Sequence, residues 1–114
     1  MNAVGYFERA TRTAASIGDD TCRAQALVGL GETRARQRQF GRAIAEMTEG
    51  LEALDLAAPA LRVDVVEKLG EVTLMAGDRS AARRYWEEAL EILTSLRHPK
   101  ASRVRDRLRS LDVA

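Results

Sequence analysis

Apolar positions recur at three- and four-residue steps along almost the whole chain, the spacing that gathers side chains on one face of an α-helix. The clearest stretch is Asp78 to Leu96, where Ala82, Tyr85, Trp86, Ala89, Leu90 and Leu93 form one stripe of alternating small and large residues. The same reading predicts an all-α chain: a leading helix over 3–17, a helix pair over 21–56, a second pair over 59–96 and a closing helix over 99–111. Tyr6 or Phe7, Ala10, Thr13 and Ile17 are the expected core of the leading helix. Ala24, Leu27, Leu30, Gly31 and Ala35 serve the second helix, and Ile44, Met47, Leu51 and Leu54 the third. Leu61, Val65 or Val66, Leu69, Val72 and Thr73 serve the fourth, and Ala101, Val104, Leu108 and Leu111 the last. Gly18-Asp19-Asp20 and Gly77-Asp78 each read as a helix stop followed by an acidic cap, and Pro59 suits a first helical turn, where its missing N–H leaves no bond unmade.

The pattern repeats. Tyr6-Phe7-Glu8-Arg9-Ala10 answers Tyr85-Trp86-Glu87-Glu88-Ala89, and Ala43, Met47 and Gly50 answer Ala82, Trp86 and Ala89. The small positions Ala3, Ala43 and Ala82 stand 40 and 39 residues apart, as do the large positions Phe7, Met47 and Trp86. Leu27-Val28-Gly29-Leu30-Gly31-Glu32 is likewise answered by Val66-Glu67-Lys68-Leu69-Gly70-Glu71. A glycine inside a helix costs about 1 kcal/mol relative to alanine. Its recurrence predicts close packing of a neighbouring helix against a site without a Cβ.

Leu27, Leu30, Gly31, Phe40, Ala43, Met47 and Leu51, then Val66, Leu69, Gly70, Gly77, Ala82, Trp86, Ala89 and Leu90, resemble two units of a tetratricopeptide repeat. The period is longer than the usual length of about 34 residues. Arg34 and Thr73 stand where the first helix of such a repeat carries an aromatic, and Arg79 where Phe40 would predict one. Gly77-Asp78, Tyr85-Trp86-Glu87-Glu88-Ala89-Leu90, His98-Pro99 and Val104-Arg105-Asp106-Arg107-Leu108 are similar to the terminal repeat and closing helix of actinobacterial signalling and transcription regulators. The resemblance implies a right-handed tetratricopeptide-like superhelix of antiparallel pairs, a single domain over 1–114 whose last helix covers an otherwise exposed apolar face.

Composition narrows the function classes. The 114 residues carry 18 basic and 17 acidic side chains for a formal charge of +1, so no general attraction to nucleic acid or membrane follows. No stretch approaches the roughly 20 apolar residues that span a bilayer, and the amphipathic start does not read as a signal peptide. The single cysteine, Cys22, excludes an intrachain disulfide and fits a cytoplasmic chain. One histidine, His98 beside Pro99, gives with Cys22 no zinc-ligand set, and neither a dinucleotide fingerprint nor a phosphate loop is present. The acids of Glu46-Glu49 and Glu87-Glu88-Glu91 are expected on solvated faces with ion pairs one turn away. A non-enzyme without metal or cofactor is expected.

Binding is therefore the expected function. In the family resembled, the first helix of each pair lines an inner groove, which implies Gln25, Val28, Glu32, Ala35 and Arg36 on the second helix and Asp64, Glu67, Glu71, Leu74 and Met75 on the fourth. Asp64, Glu67 and Glu71 form an acidic strip with an apolar end at Leu74 and Met75, suited to a polypeptide with basic residues and one apolar anchor. The competing surface is Lys100, Arg103 and Arg107 on the closing helix, which could meet nucleic-acid phosphates. Self-association and attachment to a larger regulator are left open by the residues.

Overall fold

The computed structural model describes residues 2–54 and 58–113. Among them it contains six α-helices and no strand: α1 Ala3–Ile17, α2 Asp20–Arg36, α3 Phe40–Ala53, α4 Pro59–Met75, α5 Arg79–Ser95 and α6 Ala101–Asp112. α3 closes where Leu54 turns extended; the expected continuation over 55–56 lies outside the described residues. Contacts divide the chain into two compact units, Met1–Ala58 and Pro59–Ala114. α2 packs between α1 and α3 in the first, and α5 between α4 and α6 in the second.

The expected punctuation forms these helices. The Asp19 carboxylate accepts from Cys22 N at 3.0 Å and Asp78 from Ala81 N at 3.0 Å, each satisfying an amide that the first helical turn leaves without a partner. The preceding residues Gly18 and Gly77 take the left-handed conformation that ends a helix, with φ of 72° and 90°. Arg38 and Arg97 adopt it too, at φ 63° and 53°. Arg38 is equivalent to Gly77 in the repeat, so the turn is kept although the residue is not.

Each helix pair closes on a large side chain laid against a glycine. A Cβ on Gly31 would stand 2.6 Å from Met47 Cγ and 3.0 Å from the Ala43 carbonyl oxygen, while a Cβ on Gly70 would enter the Trp86 indole. The glycines inside α2 and α4 therefore remove an obstacle at the crossing, as their repetition predicts. Gly29 does the same for the Phe7 ring of α1. Gly29 and Gly31 are separated by about 200° around the helix, so α2 receives a large side chain from each neighbour. Gly50 returns the favour on α3, where a Cβ would lie 3.2 Å from the Ala24 carbonyl oxygen.

Around these crossings Met47, Leu69, Val66 and Val104 are fully enclosed, and Trp86 and Leu93 nearly so. The Trp86 indole N–H donates to the Glu67 carbonyl oxygen at 3.2 Å, which meets its polar requirement within the core. Two positions in the first-of-pair helices are buried polar residues. The Arg34 guanidinium joins Glu46 of α3 at 3.2 Å and Glu8 of α1 at 3.9 Å. Thr73 Oγ1 donates to the Leu69 carbonyl oxygen at 2.8 Å.

The leading helix departs from expectation. Phe7 turns to Gly29 and Ala14 is buried, but Tyr6 is 61% exposed and Ile17 71%. Of the two adjacent aromatics only one can face α2, and with Phe7 in that place Thr13 and Ile17 turn to solvent.

Trp86→Ala removes the large partner of Gly70 and should lower the stability of the protein by about 3–5 kcal/mol. Chemical denaturation followed by helical circular dichroism measures this; a midpoint equal to that of the parent would show that the Trp86 crossing does not hold the second unit.

Candidate functional site

The two surfaces that compete as binding sites in the sequence meet each other in the second unit. Glu67 of α4 lies 3.5 Å from Lys100 Nζ and 3.7 Å from an Arg103 guanidinium nitrogen. Glu71, one turn further, pairs with Arg107 at 2.8 Å. Arg107 also lies over the Trp86 ring, 5.4 Å from its centroid, so one guanidinium covers the core aromatic and neutralises an acid. The expected acidic strip and the expected phosphate-binding patch are thus two sides of one intramolecular network.

Burial separates the members. Glu67 is 6% exposed, with Oε2 toward the two cations and Oε1 enclosed without a hydrogen-bond partner among the described residues. It is a helix-docking residue, and its expected place on an open groove is corrected. Glu71 is exposed. α6 contributes Val104 and Leu111 to the buried core, and ion pairs and hydrogen bonds add to its attachment. Arg79 donates to the Leu111 carbonyl oxygen at 2.8 Å, and Arg83 pairs with Asp112.

In the first unit, Val28 is corrected in the same way. It is 6% exposed, with a methyl group 3.6 Å from where a Gly50 Cβ would stand. Ala35 is also buried. Val28 and Glu67 are equivalent positions 39 residues apart, so both units turn the same helix position inward. The exposed face lies one step around: Gln25 and Arg36 are exposed and Glu32 half-buried on α2, and their equivalents Asp64, Met75 and Glu71 are exposed on α4. Leu74 and Met75, the latter 55% exposed, leave an apolar end on that face.

Ion pairs between paired helices repeat as well. Arg23 meets Glu49 at 3.3 Å and Arg62 meets Glu88 at 3.0 Å, each across 26 residues. Glu49 and Glu88, expected to serve local pairs, instead join each second helix to its first. Such half-exposed pairs contribute little stability individually, but their identical spacing marks the two pairs as copies of one design. Arg34 is buried and paired across helices, which the local charge pattern around it does not signal.

No group of three or more histidine, cysteine or acidic residues suited to a metal ion occurs among the described residues. The Asp19 carboxylate accepts from Cys22, which pushes the exposed thiol above its ordinary range and makes it a poorer nucleophile. The same contact, chiefly the backbone N–H of Cys22, holds Asp19 below its usual value. This depressed group favours the folded state above its unfolded pKa, and the contribution fades as pH falls through the folded value. His98 Nδ1 accepts from Lys100 N at 3.1 Å, occupying the histidine in the turn before α6. No helix among the described residues is long and apolar enough to cross a membrane. No known family model matches the chain, and no curated protein is similar to it at a significant level.

Reversing a charge should therefore have different consequences at the two acids. Glu67→Lys places a third cation beside Lys100 and Arg103 in a buried site and should lower stability by about 3 kcal/mol or more. Glu71→Lys, at an exposed pair, should change it by less than about 1 kcal/mol. Hydrogen exchange of the amides from Val104 to Leu111 should accelerate in the first variant only. Equal protection in both variants would contradict docking through Glu67.

Proposed function

We propose that this chain is a non-catalytic, tetratricopeptide-like scaffold that binds a polypeptide segment along the repeated exposed face of its first-of-pair helices. The observation that carries the reading is the double construction of that face. The crossings Gly31–Met47 and Gly70–Trp86 and the ion pairs Arg23–Glu49 and Arg62–Glu88 recur at one interval. They hold α2 and α4 in equivalent settings, with Gln25, Glu32 and Arg36 on one and Asp64, Glu71, Leu74 and Met75 on the other.

Each exposed helix face can meet one side of a polypeptide ligand. Leu74 and Met75 supply an apolar anchor point, and methionine adapts to differently shaped side chains. Asp64, exposed on the same helix, favours a basic residue near that anchor. A right-handed superhelix and a role in bacterial regulation belong to this reading through the family resemblance, and a cytoplasmic setting through the single cysteine. Nucleic-acid binding through Lys100, Arg103 and Arg107 has less support, since each already faces a carboxylate.

Leu74→Asp together with Met75→Asp tests the reading. A peptide selected on the parent protein from a displayed random library should bind the double variant at least about tenfold more weakly in calorimetric titration. Because both side chains are exposed, folding stability should stay within about 0.5 kcal/mol. Equal affinity for a folded double variant would remove this face as the recognition surface.

A further inference from the structure

The open side of α1 forms a second candidate surface, separate from the face just described. Tyr6, Arg9, Ala10, Thr13, Ile17 and Cys22 border an apolar groove of about 420 Å³ in the first unit. Ala10 is the equivalent of Gly50 and Ala89, both buried. On α3 that position is covered by α2, whose Ala24, Leu27 and Val28 surround Gly50. On α5 the buried Ala89 lies between Glu88, which meets Arg62 of α4, and Leu93 of the core. On α1 the corresponding position opens on the groove.

Charge indicates what fits there. Glu49 and Glu88 each receive an arginine from the covering helix, and Arg9 stands at their position on α1. We propose that this groove docks an amphipathic α-helix of a separate polypeptide, with aliphatic residues toward Ala10 and Ile17 and a carboxylate opposite Arg9. Arg12, exposed one turn along, extends the preference for an acidic helix.

The chain supplies its own probe. A peptide of residues 59–75, the α4 sequence, with Arg62→Glu should bind the parent protein and protect Cys22 at the groove edge from a thiol reagent. The unaltered peptide should bind about fivefold more weakly, as expected for exchanging an attractive half-exposed pair for a repulsive one. In Arg9→Glu protein the preference should reverse. No protection of Cys22 by either peptide overturns the proposal, and so does binding indifferent to the charge at position 9, which would indicate exchange with the protein's own α4. A dimer seen by sedimentation without peptide, and lost on Ile17→Glu, would identify the occupant as a second copy and overturn it equally.

Discussion

The structure depends on large side chains crossing glycines. Helices with ordinary side chains at the crossing pack at about 8–10 Å between axes, and a glycine lets a neighbouring ring or thioether come down to the backbone. Trp86 uses that space at Gly70, Met47 at Gly31 and Phe7 at Gly29. Each contact fixes where along its length one helix meets the next. The ion pairs Arg23–Glu49 and Arg62–Glu88 then fall at the same relative position in both pairs. The helix-weakening effect of glycine is outweighed where the burial of a large side chain, commonly 1.5–3 kcal/mol, depends on it.

Charge completes what apolar burial leaves unfinished. Arg34 ties α2 to both neighbours, and Glu67 gathers two cations, Lys100 at the N-cap of α6 and Arg103 within it. Buried pairs of this kind add less net stability than their proximity suggests, because both ions leave water. They nevertheless make misplacement expensive, since a helix shifted by one turn would strand a buried charge. α6, which also buries Val104 and Leu111, is positioned in part in this manner. Carboxylates and guanidinia that look like recognition groups along the sequence are consequently part of the scaffold.

Much of this was legible in the chain. Helix limits follow from Gly-Asp punctuation and from three-and-four spacing, and the doubled glycine signals a close crossing without naming its partner. Inward direction was less legible on α2 and α4, because both are covered on more than one side. Apolar residues run around such helices, so no single stripe points to the core. Val28 and Glu67, polar-face positions by local spacing, are buried for that reason. The pairing of Glu67 and Glu71 with α6 joins residues more than 30 positions apart, as the Arg107–Glu71 separation of 36 shows, and local periodicity carries no information about it. On α1, adjacent aromatics left the choice of face to tertiary packing, which selected Phe7 and exposed Tyr6.

The central claim is that the glycine and its large partner act as one unit at each crossing. A double-mutant cycle on unfolding free energy, with Gly70→Ala, Trp86→Leu and both together, measures this most directly. The added methyl should be strongly destabilising beside Trp86 and much less so beside leucine, giving a coupling of at least about 1 kcal/mol. Additive effects of the two substitutions, within about 0.5 kcal/mol, would contradict the account.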